Sequence, residues 1–504
     1  MVTKYLTHTS TQTDITAATP QSRCSHTRLL ATTTSTHTML AQTGLEAAFS
    51  NIVSNVRASI NLQSVQQDVA HNHTGSCEMT TFSDPGNLPN YTLQGVWWVM
   101  WLVCVEYVAL WWQGARLPVL HDNIISLVHA TLYEVTKLFV RGVEYGVYTW
   151  VWQHYSILPA LDSSLLGLAI LVVLIDLVYY WLHRANHEIM LLWAIHQVHH
   201  TSQDLTVAVG LRHSPLQRLF AWVFYLPLAV LGVPPNQMLA HSQFNTLYQC
   251  WTHTHAIRSI GPLDYIFNCP AHHRVHHGSN LYCLDKNYGG VFILWDRLFG
   301  TFQQELPDEE IIYGILTQPD SYNPLYHQVF YLKMALEKAR GMSTWRERLS
   351  TLVKGPSWMP GSPWTGWDKD KPDIRGCRVY RKVKASSFTH CYVLMHFLAI
   401  LTLTNLLIAP LSGTPVEVFV YSMVVVVTLG CIGVVYDDPP YTRLVEVMRC
   451  SASLLICLFL PPLVTPIILQ LLTSLYVLSL TLWLFNPTSM LPHPSTKLDT
   501  SSMK

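Results

Sequence analysis

The sequence predicts an all-α protein, a polytopic integral membrane helix bundle with a histidine-rich di-metal site facing the cytosol. Three observations carry this. Half of the 504 residues are hydrophobic and only 12% are charged, a balance that suits lipid-facing helices better than a set of soluble modules. Several apolar runs approach the roughly 20 residues that a spanning helix needs. Histidine, at 25 residues, is the outlier: thirteen fall within the 95 residues 183–277, where an even spread would place about five.

Residues 1–92 are rich in Thr, Ser, Gln and His without sustained periodicity, so they are expected to form a disordered N-terminal tail. No apolar segment follows Met1, and no cleavable signal peptide is expected. Asn72-His73-Thr74 and Asn90-Tyr91-Thr92 are glycosylation sequons, usable if this tail is luminal. Residues 93–384 are read as the catalytic membrane domain with its histidine cap. Within it, Gly95–Trp112 is apolar except for Glu106, and Ser163–Leu182 is apolar except for Asp176; each is close to spanning length. Between them, 124–153 is a more mixed helix carrying Glu134, Lys137, Arg141 and Glu144. Leu219–Val233 is apolar but short and contains Pro227, which suits a re-entrant or interfacial segment.

The more polar stretch 240–384 ends in Arg375, Arg378, Arg381, Lys382 and Lys384, directly before the uncharged run Ala385–Val416. A basic cluster flanking a span marks the cytoplasmic side, so the histidine region is expected to face the cytosol. If 93–112, 124–153 and 163–182 all cross, the N-terminus is luminal. Residues 385–490 are read as C-terminal transmembrane helices, with a second span at 418–436. The uncharged run 450–486 is broken by Pro461, Pro462 and Pro466, giving two tight spans or one span and a re-entrant piece. A flexible tail, 491–504, follows. The formal net charge is zero, so no nucleic acid partner is indicated. The eleven cysteines include no CxxC pair, which disfavours a zinc ribbon or a thioredoxin-like site.

His183 and His187 are spaced i, i+4 and share a helix face. His196, His199 and His200 form HxxHH, and His273, His276 and His277 repeat it in AHHRVHHG. The i, i+3, i+4 offsets again share a face, while adjacent members can reach two ions. His253, in LYQCWTHTHAI, is a ninth candidate ligand. His213, His241, His255 and His272 lack the repeat spacing and are read as hydrogen-bonded or solvated side chains. Neutral imidazole suits iron, zinc and copper, and the scarcity of cysteine in the cluster removes the strongest sign of structural zinc. Eight or nine ligands exceed one metal's need, so two ions are implied. The zinc-protease motif HExxH is absent, since Leu191 stands four residues after His187. A two-metal site at a membrane surface, fed from an apolar bundle, fits oxidation of a lipid C–H bond by iron and dioxygen. Asp176 lies two turns below His183 on the same face and is expected to accept from a ligand's other N–H, or else to pack helices. Glu188 points away from that face, toward a cofactor or simply the interface.

HxxxH, HxxHH and HxxHH in this order, between membrane helices, resemble the fatty acid hydroxylase superfamily of membrane di-iron enzymes. The segments DLVYYWLHRANHE, LWAIHQVHHTSQD, QFNTLYQCWTHT, IGPLDYIFNCPAHHRVHHGSNLYCLDKNYGGVFILWDRLFGTF and KGPSWMPG narrow the resemblance to its tetrahydrobiopterin-dependent branch, the alkylglycerol monooxygenase family. That resemblance runs from about 93 to 490 and is densest over 162–356. It implies an endoplasmic reticulum membrane enzyme. Such an enzyme hydroxylates the carbon next to the ether oxygen of an alkylglycerol, and the product falls apart into a fatty aldehyde and glycerol. It further implies two iron ions on His183, His187, His196, His199, His200, His253, His273, His276 and His277, dioxygen as co-substrate, and tetrahydrobiopterin as electron source with Glu188 at the acidic position linked to pterin use. Three features depart from the family's usual pattern: His255 where an acidic residue is usual, His213, and the long N-terminal tail. The alternatives are a sterol, sphingoid or fatty acyl hydroxylase of the same superfamily drawing electrons from cytochrome b5, and a non-catalytic zinc-binding membrane protein.

Overall fold

A computed structural model describes residues 91–161, 164–376, 383, 385–408, 414–460 and 464–485. The expected tails, both sequon asparagines, Pro461 and Pro462, and most of the basic cluster before residue 385 lie outside the described residues. Twelve helices matter here: α1 (Tyr91–Trp112), α2 (Leu120–Tyr155), α3 (Leu165–Glu188), α4 (Met190–His200), α5 (Pro235–Cys250), α6 (Pro270–His277), α7 (Pro324–Arg340), α8 (Trp345–Val353), α9 (Ser387–Ile408), α10 (Pro415–Asp437), α11 (Thr442–Phe459) and α12 (Pro466–Phe485). Among the described residues no strand forms; isolated bridges pair Phe267 with Phe292 and Gly278 with Tyr313.

The chain is a multi-pass membrane helix bundle. Helices α3, α9, α10 and α12 are long and apolar enough to cross a membrane. In α1 the apolar part is shorter, Trp97–Trp112, and it exposes Trp97, Trp98, Trp111 and Trp112, aromatic side chains of the kind that settle at a lipid–water boundary. Helix α2 runs for 36 residues, and three of its charges are paired: Lys137 with Glu134 at 2.5 Å, and Glu144 with Arg218. The mixed composition of 124–153 therefore reflects a cavity wall. The apolar 219–233 segment is a chain of short helical turns, with Pro227 opening the last of them, Leu226–Val230. Its Leu228, Ala229 and Val233 pack against Tyr148 of α2 and Leu171 and Ile175 of α3.

One apolar cluster joins Ile125, Val128 and Leu132 of α2 to Ile400 and Leu403 of α9 and to Val425 and Leu429 of α10. Because lipid tails are as apolar as leucine, close packing holds such helices together more than water exclusion does. Beyond α10 the chain forms α11, which starts at Thr442, ahead of the uncharged run 450–486, and α12, with Pro466 in its first turn; of the two, α12 is long and apolar enough to cross. Helix α11 carries Glu446 and Arg449 but buries both, 2.6 Å apart. Arg449 also donates to the Tyr392 hydroxyl at 3.0 Å, and His396 meets Ser479 at 2.8 Å. These partners supply in lipid what water would supply elsewhere.

Candidate metal centre

The metal-ligand spacing of the sequence is set in space by a break. Helix α3 ends at Glu188; Ile189 is extended (φ −123°, ψ 119°), and the Met190 N–H donates to the Lys354 carbonyl of the KGPSWMPG segment at 2.7 Å. Helix α4 thus folds back over the end of α3. His196 comes within 5.0 Å of His183, and His200 within 4.8 Å of His187, measured between ring centroids. Helix α6 opens on Cys269 with Pro270 in its first turn. Arg274 on its outer face is held by Glu305 at 2.7 Å and by the Ile257 carbonyl at 2.8 Å, so the opposite face presents His273, His276 and His277 to the other imidazoles.

All nine candidate ligands are buried and fall into two groups, His183, His187, His196, His200 and His276 in one and His199, His253, His273 and His277 in the other. Within each group the potential ligand atoms lie within 4.8 Å of one another. Adjacent residues are divided between them: His199 from His200, and His276 from His277. The groups abut, with the His200 and His277 rings stacked 4.3 Å apart. None of His213, His241, His255 and His272 joins either group; His213 stacks on His199 instead, at 5.2 Å.

The donor chemistry fits metal ions. In the first group the Nε2 atoms of His183, His187, His200 and His276 are buried with no protein hydrogen-bond partner, a costly arrangement unless a ligand fills it. In the second, Nε2 of His253 lies 2.8 Å from that of His273 and 3.3 Å from that of His199, and His273 lies 3.2 Å from His277. Imidazole–metal bonds of roughly 2.0–2.1 Å place neighbouring ligands at right angles about 3 Å apart. Four rings are aimed by backbone carbonyls through Nδ1: His183 by Tyr288 (2.9 Å), His276 by Lys286 (2.9 Å), His253 by Gln249 (2.8 Å) and His199 by Arg212 (3.2 Å). A carbonyl only accepts, so Nδ1 carries the proton and Nε2 is free to ligate. Burial, reinforced by the neighbouring imidazoles, holds His199, His200, His273 and His277 well below the ordinary histidine range. Burial also takes His253 down to about 3 and His276 to about 4. All are neutral at physiological pH, the form a metal requires.

Asp176 departs from its expected role. Its carboxylate meets no histidine; it accepts from the N–H groups of Val291 and Phe292, from Trp295 Nε1 and from Asn245 Nδ2, at 2.7–2.9 Å. The physical reason is reach: the backbone of the 288–292 loop lies between Asp176 and the imidazoles. Gly290 permits this, since a Cβ there would stand 2.8 Å from Asp176 Oδ1. Asp176 still acts on both groups at one remove. The loop that it anchors carries the Tyr288 carbonyl to His183. Asn245, in turn, accepts from Gln249 at 2.6 Å, and the Gln249 carbonyl aims His253. Glu188 also lies outside both groups, as expected; Arg184 holds its carboxylate at 2.9 Å.

Three supporting residues escaped sequence reasoning. Asp296, fully buried, accepts from the N–H groups of Tyr288 and Gly289 and fixes the same loop. Arg212, equally buried, pairs with Asp122 and donates to the Val198 carbonyl at 2.9 Å. Glu106, the one charge in the first apolar run, accepts from Thr254 beside His253 at 2.6 Å; its isolation in that run was the available signal.

Cavities reach the imidazoles from two sides. The first runs between α2, α3, α5 and the 213–225 segment and touches His196, His199 and His253. It shares Tyr133, Lys137, His213 and Thr246 with a mainly apolar pocket walled by Leu127, Leu247, Phe397 and Leu401 among others. The second reaches His187, His200, His276 and His277 from the segments around 284, 315 and 357.

Residues 168–301 match the fatty acid hydroxylase family model, and 389–474 match that of the alkylglycerol monooxygenase C-terminal domain. The chain is 34% identical to alkylglycerol monooxygenase of Xenopus tropicalis, over 74% of this chain and 83% of the relative. It is 34% identical to the Homo sapiens enzyme of that name (76% and 87%) and 36% identical to that of Danio rerio (75% and 85%). No solved structure matches it.

Proposed function

The chain belongs to the alkylglycerol monooxygenase family, and on that premise we propose that it is a tetrahydrobiopterin- and dioxygen-dependent monooxygenase of the endoplasmic reticulum membrane that cleaves ether lipids. The reaction places one oxygen atom on the alkyl carbon next to the ether oxygen and reduces the other to water. The resulting hemiacetal collapses to a fatty aldehyde and glycerol, or the corresponding lyso-lipid. Bound at the two imidazole groups, two iron ions would supply the redox chemistry for activating dioxygen, with the pterin as two-electron donor.

The observation that carries the reading is the pairing of two buried, neutral, all-imidazole groups with a cavity that continues into an apolar pocket. His183, His187, His196, His200 and His276 would hold one ion, and His199, His253, His273 and His277 the other. The apolar pocket suits an alkyl tail. The polar residues where it joins the larger cavity, Lys137 and His213 among them, suit the glycerol end, which sets the ether carbon beside the ligands. Burial of the ligand set excludes water from the reacting carbon, which protects an oxidising site from side reactions. The basic residues before 385 support a cytosol-facing cap.

The test is aldehyde release from an alkylglycerol by the purified protein, with and without tetrahydrobiopterin, alongside metal analysis. We expect two irons per chain and strict pterin dependence. In His199→Ala, turnover should vanish and about one iron should be lost while helical content stays unchanged. Turnover that ignores the pterin but follows cytochrome b5 would instead indicate an acyl or sterol hydroxylase. Tightly held zinc with no turnover would indicate a binding protein.

A further inference from the structure

The second cavity reaches the imidazoles from the side away from the apolar pocket proposed for the alkyl tail. Resting on the pterin-dependent reading above, we propose that it is the pterin site and that Asp285 and Lys371 read the edge of the pterin ring. A pterin presents three adjacent groups along one edge, the 2-amino group and N3–H as donors and the 4-oxo oxygen as acceptor. The cavity offers the complement. Asp285 and Lys371 both line it, with Lys371 Nζ 3.4 Å from the Asp285 carboxylate. Lys371 is almost wholly buried and is held at 2.9 Å by Asp368. A carboxylate can accept from both ring donors while the ammonium donates to the oxo oxygen, and such charge-assisted bonds are the strong ones.

The walls suit a flat ring. Trp193 and Tyr331 line the same cavity with their rings perpendicular, 6.0 Å apart, beside Leu316 and Pro356. Trp193 also packs on the rings of His187 (5.0 Å) and His200 (5.5 Å), so a molecule lying against it is one ring away from the first imidazole group. Asp285 belongs to the segment that aims the ligands. It and Asn287 adopt left-handed backbone (φ 58° and 55°), and between and beyond them the Lys286 and Tyr288 carbonyls hold His276 and His183. A donor bound to Asp285 therefore presses on the loop that positions two ligands. Glu188 stands beside this cavity and does not line it. Its carboxylate is taken by Arg184, and its backbone carbonyl accepts from Trp364, next to the lining residue Thr365. Glu188 is thus a positioning residue for the pterin, whereas Asp285 touches it.

The experiment uses the iron-loaded full chain in detergent, with tetrahydrobiopterin under anaerobic conditions. Binding is read by quenching of tryptophan fluorescence, and turnover and iron content are read on the same preparations. Asp285→Asn should weaken binding and raise the pterin KM about tenfold or more, the loss of one charged hydrogen-bonding partner, with iron content and the alkylglycerol KM unchanged. Leu316→Trp, which adds bulk at the cavity wall on a residue that is not a candidate ligand, should abolish quenching and leave iron in place. Wild-type binding in both variants, or loss of iron in step with loss of binding, would overturn the assignment. A wild-type protein that turns over alkylglycerol without pterin would sink the functional reading itself, an outcome distinguishable from either.

Discussion

Asp176 shows how far a single side chain can act without touching the chemistry. Its carboxylate satisfies four donors and through them steadies the Tyr288 carbonyl behind His183 and the Asn245–Gln249 chain behind His253. Asp176→Asn keeps the shape but turns an amide N–H toward groups that already donate, leaving buried donors unpaired. We expect a 10- to 100-fold loss in metal affinity or turnover, the usual effect of removing support behind ligands; the check is iron content after dialysis against a chelator, with circular dichroism to show the helices intact. Unchanged iron retention would make Asp176 a helix-packing residue only. At this scale the sequence was informative about which imidazoles gather and poor about the groups that support them. Spacing alone picks out His183, His187 and the two HxxHH segments, because helical offsets fix which side chains share a face. The division of His199 from His200 is not visible in a motif, since neighbouring residues on a helix point about 100° apart and only the facing helices decide which group each joins. The carbonyls of Lys286 and Tyr288 carry no side-chain signature, and the His183–Tyr288 contact spans 105 positions.

Among the elements, α2 was the hardest to read from its residues, and it walls both of the connected cavities. Glu134, Lys137 and Glu144 look like interruptions of a span, yet in the fold they pair with one another or with Arg218 and wall the cavities. Apolar and charged residues therefore share α2 because one face meets lipid or apolar helices while the other meets a polar passage. Periodicity cannot separate a polar cavity face from a solvent face. Ala130 lines the apolar pocket on this helix, opposite Leu401 and Thr404 of α9. Ala130→Trp should block the pocket's far end and discriminate by tail length. At about 0.8 kcal/mol per methylene, loss of room for about four methylenes removes about 3 kcal/mol from binding of a long tail, or about 100-fold in kcat/KM. Short-tailed alkylglycerols should be nearly unaffected. Kinetics across a chain-length series checks this, and an equal loss at every length would place the tail elsewhere.

For the molecule as a whole, the number of crossings after residue 385 turns on α11. Counted by composition α11 is a poor span, because Arg443, Glu446 and Arg449 fall in its 18 residues. Burial changes that reading. Glu446 and Arg449 are enclosed by Tyr392 of α9 and by the neighbouring α12, while Leu444, Met448, Leu455 and Leu458 face outward. A helix of 18 residues is about 27 Å long, close to the hydrocarbon thickness, and a charge pair closed inside the bundle meets no lipid. If the histidine cap faces the cytosol, as proposed, and α11 crosses, α9 and α10 leave and return, and α11 and α12 repeat the excursion. The C-terminal end of α12 then faces the cytosol, whereas three crossings would leave it in the lumen. An acceptor sequon appended after residue 504 should stay unmodified in microsomal membranes. A C-terminal epitope should be cut by protease added outside sealed microsomes, while an epitope at residue 1 should be protected, because the N-terminal segment is expected on the luminal side. Glycosylation of the appended sequon would remove α11 from the set of spans and would require Glu446 and Arg449 to be enclosed by a helix that lies along the membrane and does not cross it.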